Sequence, residues 1–116
     1  MALEEFKIEM ENADKGVVVI RLTGYLDAHT FERLEETISE LFSTGRYKLV
    51  VDLARVEYIS SAGAGVFIGA LSEAHENKGN IVLLQPTPNV REVFELLGLT
   101  QIFPVVDNST AALAVF

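Results

Sequence analysis

The chain has 116 residues, of which 49% are hydrophobic, and this size fits a single domain with its own core. Its formal net charge of −8 disfavours nucleic acid and anionic membranes as direct partners. The charge fits attraction to basic protein surfaces or solubility alone, and it does not separate the two. It has no cysteine, no apolar run near the roughly 18 residues of a membrane span and no signal-peptide pattern in its acidic start, residues 1–6, so a cytoplasmic protein without disulfides or cysteine-type zinc sites is expected.

The first elements expected in chain order are two strands. Residues 6–10 and 17–22 have strand composition, and the turn-forming residues 12–16 between them predict a hairpin. Thr23 and Gly24 are expected to end the second strand.

A helix of about four turns is predicted next. Its apolar residues recur at helical spacing: Phe31, Leu34, Ile38, Leu41 and Phe42. Asp27 or Thr30 is predicted to cap its start, and Gly45 lies where a helix usually stops.

The middle of the chain predicts a central strand followed by a second helix. Residues 47–53 are almost continuously apolar, which is typical of a strand covered on both faces, and residues 56–59 lead out of it. The apolar side of the helix is formed by Val66, Phe67, Ala70, Leu71 and Ala74. Asn77, Lys78 and Gly79 are expected to end this helix.

Two more strands and two more helices complete the expected order. Residues 81–84 read as a buried strand, and Thr87 with Pro88 predicts the start of a third helix that ends at Gly98. The apolar stripe of that helix is Val90, Val93, Phe94 and Leu97.

Residues 102–106 are expected to form a short strand, and Pro104 places it at a sheet edge. The last element is a short helix that ends at Phe116 and is capped by Asn108, Ser109 or Thr110.

Strands that alternate with helices predict one α/β domain over residues 1–116. The expected architecture is a mixed, mostly parallel sheet of about five strands, with an antiparallel start and about four helices. In such sheets, functional sites favour the loops that follow the carboxyl ends of strands.

The segment Ser-Ser-Ala-Gly-Ala-Gly, residues 60–65, lies in such a place, since it leaves a strand and opens a helix. Small side chains there expose the serine hydroxyls and let another backbone come close. The free amide groups of a helix start also favour negative charge, including a phosphate. The purely structural alternative is strong, because serine is a common N-cap and Ala/Gly runs let a helix pack tightly on a sheet.

Enzymatic sites fit this sequence less well. Residues 60–65 match neither a phosphate-binding loop, a GxGxxG motif nor a GxSxG elbow. A serine triad would have to use His29 or His75, and His75 lies fourteen residues after Ser61 on the same predicted helix, roughly 20 Å away. Two isolated histidines form no zinc motif, so no metal and no cofactor is expected.

Two stretches of the chain resemble the STAS-domain anti-sigma factor antagonists, which are small bacterial regulators. One is residues 19–30, Val-Ile-Arg-Leu-Thr-Gly-Tyr-Leu-Asp-Ala-His-Thr. The other is residues 49–66, from Leu-Val-Val-Asp-Leu through Ile-Ser-Ser-Ala-Gly-Ala-Gly-Val. Gly98-Leu99 and the short last helix also fit, so the resemblance covers nearly the whole chain.

The resemblance implies a partner-switching role without enzymatic activity. The unmodified antagonist binds an anti-sigma factor, which is a serine kinase with its own ATP, and the sigma factor is released. The kinase then phosphorylates the antagonist, which dissociates. A serine phosphatase removes the phosphate and restores the binding form. Aligned on Gly63, the phosphorylated serine of the family falls on Ser61, with Ser60 as second choice. The residues expected to contact the partner are Asp27, His29, Thr30, Ser60, Ser61, Ala62, Gly63 and Ala64.

The chain also departs from the family pattern. Ser60 stands at the family's aspartate, Ala62 at its second hydroxyl residue, and Tyr25 where an acidic residue is often found. One alternative is therefore an interaction module or scaffold subunit whose serine is never phosphorylated. A transporter-associated domain, a small hydrolase and a nucleotide-binding protein are weaker alternatives, because the chain looks complete and lacks a membrane segment and the matching motifs.

Overall fold

A computed structural model describes residues 5–116 as five strands in one sheet, in the order β1-β2-β3-β4-β5. The strands are β1 (Lys7–Asn12), β2 (Val18–Leu26), β3 (Lys48–Ile59), β4 (Asn80–Leu84) and β5 (Val105–Val106). The first pair is antiparallel and the other three pairs are parallel. The prediction of a mixed, mostly parallel sheet with an antiparallel start is confirmed.

Within the described residues, four α-helices cover this sheet, as predicted. They are α1 (Phe31–Ser43), α2 (Ser61–Glu76), α3 (Pro88–Leu96) and α4 (Ser109–Ala114). The main core lies between one face of the sheet and α1, α2 and α3, and a smaller core lies between the other face and α4. The site therefore stands on a sheet that is packed on both faces.

Strand β3 is central and its residues alternate between the two cores. Leu49, Val51 and Leu53 belong to the main core, whereas Val50 belongs to the smaller one. Because successive side chains of a strand point to opposite faces, a strand buried on both faces has a continuous apolar run. The prediction for this strand is confirmed.

Three strands differ most from their expected bounds. Thr23 and Gly24 do not end β2, because register shifts against β3 on either side of them let the strand continue to Leu26. At both shifts β3 has one residue more than β2, and Gly24, which lies between the shifts on β2, has φ +99, a backbone conformation that favours glycine. Exposed residues in the middle of β3 likewise do not interrupt it, since the strand is continuous to Ile59.

The third difference is at the last strand, which is shorter than expected. Only Val105 and Val106 pair with β4, because Leu99–Gln101 form a 3-10 turn and Phe103 packs into the main core. The strand does lie at the sheet edge, as Pro104 predicted.

The helix caps were predicted with mixed success. Thr87 is the N-cap residue of α3 with Pro88 next to it, and the Asn108 side chain caps α4 by accepting a bond from the Ala111 amide. Thr30 occupies the N-cap position of α1, but its side chain makes no capping bond. Its hydroxyl is used by the preceding turn instead.

Across residues 5–116, no helix is both long and apolar enough to cross a membrane. The prediction that the chain starts without a signal peptide depends in part on residues 1–4, which lie outside the described residues.

Candidate functional site

The two loops that carry the predicted site residues lie side by side. Strands β2 and β3 are parallel and Leu26 is paired with Ile59 at their carboxyl ends. The Ser60 amide donates a hydrogen bond of 3.0 Å to the Leu26 carbonyl. This bond joins the turn after β2 to the turn after β3, and it brings Asp27 close to the serines.

The turn at residues 27–30 is fixed by its own hydrogen bonds. The Thr30 hydroxyl donates to the Tyr25 carbonyl at 2.7 Å and accepts from the Asp27 amide at 3.0 Å. The Asp27 carboxylate accepts from the His29 amide at 2.9 Å. Its backbone carbonyl accepts from the Phe31 amide at 2.9 Å, which starts α1. The Asp27 carboxylate and the exposed His29 side chain therefore lie on one hydrogen-bonded turn.

The two adjacent serines have different roles in the start of α2. Ser60 is the N-cap residue, and its hydroxyl accepts a hydrogen bond of 3.1 Å from the Gly63 amide. This bond satisfies one of the free amides of the helix start. Ser61 is the first residue of the helix and is exposed, whereas Ser60 is only partly exposed. The more accessible hydroxyl is that of Ser61.

Gly63 and Ala64 are buried beneath these serines. An added Cβ at Gly63 would lie 2.5 Å from the Leu26 carbonyl oxygen and 2.9 Å from Leu26 Cγ. Both residues support the turn from below, and the expectation that they also contact a partner stays a prediction. Within residues 60–65, the exposed residues are Ser61, Ala62 and Gly65.

The two histidines have different surroundings. Within residues 5–116, no hydrogen bond joins the His29 ring to Ser60 or Ser61. The His75 ring lies at the other end of α2, 3.2 Å from the Asn80 side-chain oxygen. The described part of the chain also holds no group of three or more acidic or histidine residues suited to a metal ion.

A pair of tyrosines borders the site and was not singled out as a pair from the sequence. The Tyr25 and Tyr58 rings pack with centroids 5.7 Å apart, and Tyr58 is 49% exposed. Their neighbours Leu26 and Ile59 belong to the main core, so the rings lie on the opposite face of the sheet. The pairing depends on the bulge near Gly24, which shifts Tyr25 into register with Tyr58. The sequence carries no clear signal of that shift.

Comparison with known proteins identifies the architecture. The family model described as the STAS domain matches residues 8–112. The chain is 36% identical over 110 residues to BtrV of Bordetella bronchiseptica, which is provisionally named an anti-sigma factor antagonist, and the match covers 95% of this chain and 94% of BtrV.

Two structures of the anti-sigma factor antagonist SpoIIAA have a similar fold. The unphosphorylated form is 30% identical, with a TM-score of 0.81 over 92% of this chain and 93% of that one. The phosphorylated form, from Bacillus, is 29% identical, with a TM-score of 0.73 over 95% of this chain and all of that one. Because these relatives are named for a regulatory role, the comparisons confirm the prediction that the chain is not an enzyme.

Proposed function

The chain belongs to the STAS domain family, as its resemblance predicted, and we propose that it is an anti-sigma factor antagonist that is switched off by phosphorylation of Ser61. The observation that carries the proposal is the exposed Ser61 at the first position of α2, beside the turn that presents Asp27 and His29. The acidic chain is a cytoplasmic regulator in this account, and its partner is an anti-sigma factor that is also a serine kinase.

Ser61 is a better phosphate acceptor than Ser60. The Ser60 hydroxyl accepts the capping bond from Gly63 and is partly covered, so transfer to it would disturb the helix start. The Ser61 hydroxyl makes no such capping bond and faces solvent. SpoIIAA, which has a similar fold, has structures in phosphorylated and unphosphorylated forms, and this supports a two-state protein.

A phosphate on Ser61 acts on the complex rather than on the fold. It adds about −1.5 to −2 charges at neutral pH, and the amides of a helix start tolerate an anion. In the complex, the same charge would be desolvated against the kinase and its bound nucleotide. A loss of roughly 3–4 kcal/mol corresponds to several hundredfold in affinity, which suffices to release the partner. A serine phosphatase then regenerates the binding form.

The test is a binding measurement with the host's anti-sigma factors in the presence of ADP or ATP. Wild-type protein should bind one of them in ADP and dissociate as Ser61 becomes phosphorylated in ATP. The Ser61→Ala variant should bind equally well and stay bound in ATP. Dissociation of Ser61→Ala at the wild-type rate would contradict the proposed switch.

A second candidate function is an interaction module whose serine is never phosphorylated. The observation that favours it is Ser60, which stands where the family has an aspartate. Serine and aspartate are about equally good N-caps, so the exchange keeps the helix start and removes a charge next to Ser61. Stable binding to an anti-sigma factor in ATP, with no phosphate transferred, would favour this second function.

A further inference from the structure

Helices α1 and α2 lie on the same side of the sheet and leave an open groove between them, with a volume of about 190 Å³. We call it the α1–α2 groove. Its floor is apolar and its two walls each carry a carboxylate. The floor residues are Ile38, Phe42, Val66 and Ala70, and the wall carboxylates are Glu35 and Glu73.

The charge of the groove selects the kind of side chain that fits it. Glu35 and Glu73 are exposed, and no lysine, arginine or histidine is among the residues that line the groove. A lysine or arginine side chain matches this surface in both respects. Its methylene stem can cover the apolar floor while its charged end lies between the two carboxylates.

On the α2 side of the groove, Gly69 has no side chain, so the helix backbone is accessible there. A Cβ added at Gly69 would meet nothing within 4 Å, so packing within the described chain does not require glycine there. Glycine inside a helix costs about 0.5–1 kcal/mol relative to alanine. The absence of a side chain lets a neighbouring molecule approach the α2 backbone at this point.

The nearest α2 residue that lines the α1–α2 groove lies a little more than one helical turn after Ser61. Val66 follows Ser61 by five residues on α2, which is a rise of roughly 7.5 Å along the helix. A protein that covers Ser61 is therefore in reach of the groove.

We propose that the α1–α2 groove receives a lysine or arginine side chain of the same anti-sigma factor that covers Ser61. The inference rests on the proposed function and adds a second, electrostatic contact to it. A second copy of this chain is a poorer occupant, because its net charge of −8 repels the acidic walls.

The experiment compares charge reversals at residues that line the groove with a charge reversal at a residue that does not line it. Glu35→Lys and Glu73→Lys change its walls, and Glu36→Lys is the matched control, since Glu36 is an exposed residue of α1 that does not line the groove. Binding of each unphosphorylated variant to the anti-sigma factor that binds wild type is measured in ADP by calorimetry. We expect each groove variant to bind about tenfold more weakly or worse, and the control to stay within about twofold of wild type.

The Gly69→Ala variant gives an independent test, because it is expected to raise stability and to weaken binding. It should raise the midpoint of thermal unfolding, because alanine is the better helix former, and weaken the binding about fivefold or more, because the methyl group obstructs close approach. A loss of binding in this variant cannot be assigned to unfolding.

Three outcomes would overturn the inference. If wild type binds but the groove variants equal Glu36→Lys, the groove is not a contact and the proposed function stands. If wild type binds no anti-sigma factor of the host, the proposed function and the inference fail together. If sedimentation shows wild type self-associating and Glu35→Lys changing that association, the occupant is a second copy.

Discussion

The two sides of α2 carry the same kinds of small residue for different reasons. On the side that faces the sheet, an added Cβ at Gly63 would lie 2.5 Å from the Leu26 carbonyl oxygen, so the fold requires glycine there. On the side that faces solvent, Gly65 and Gly69 have no atom within 4 Å of an added Cβ. Residue type alone therefore does not tell a packing requirement from an open surface, and the solvent side is the one free to meet a partner.

The largest expected effect is on the packed side. Gly63→Ala should lower the free energy of unfolding by about 2–3 kcal/mol, because the methyl group forces the start of α2 away from β2. For a domain of this size, the midpoint of thermal unfolding should fall by roughly 10 °C. The matched control is Gly65→Ala, the same chemical change two residues away. Equal midpoints for the two variants would remove the distinction between the two sides.

The next effect concerns binding at the exposed end of α2. Ser61→Asp should weaken the complex with the anti-sigma factor about tenfold or more, because it places a charge where the partner covers the helix start. Ser109→Asp is the control, since Ser109 is likewise the exposed first residue of a helix, α4, whose N-cap is Asn108. If calorimetry gave the Ser61→Asp variant wild-type affinity, the proposed contact between the anti-sigma factor and Ser61 would be contradicted.

A smaller effect separates the two adjacent serines. Ser60→Ala removes the bond from the Gly63 amide and should lower the free energy of unfolding by about 1 kcal/mol. Ser61→Ala removes an exposed hydroxyl and should change it by less than about 0.5 kcal/mol. Urea unfolding of both variants gives the comparison, and equal losses would show that Ser61 also has a structural role.

The smallest effect has the opposite sign. Gly65→Ala should raise the free energy of unfolding by about 0.5–1 kcal/mol, because an exposed helix interior favours alanine. The same urea titrations measure it. A destabilised Gly65→Ala variant would mean that the solvent side of α2 is constrained within the chain itself.

The sequence was sufficient for the order of elements and for the position of the serine turn. Helical spacing in α1 and α3, the apolar run of β3, and the Thr87-Pro88 pair are local signals, and each corresponds to the observed element. The sequence was not sufficient for the bulge near Gly24, since a glycine that follows an apolar run also fits a turn.

Within the candidate site, the roles of neighbouring residues could not be predicted. Which of the two serines caps α2, and which is exposed, depends on where the helix begins to within one residue. The burial of Gly63 depends on the approach of Leu26 from another strand, and the contact between Tyr25 and Tyr58 depends on register. These are tertiary properties with no local signal.

Phosphate transfer tests the central claim most directly. The wild-type protein is incubated with ATP and the anti-sigma factor kinase that binds it, its intact mass is measured, and the modified residue is located by fragmentation. The account predicts one phosphate, on Ser61, and none on the Ser61→Ala variant. Absence of phosphate on wild type, or a phosphate located on Ser60, would contradict it.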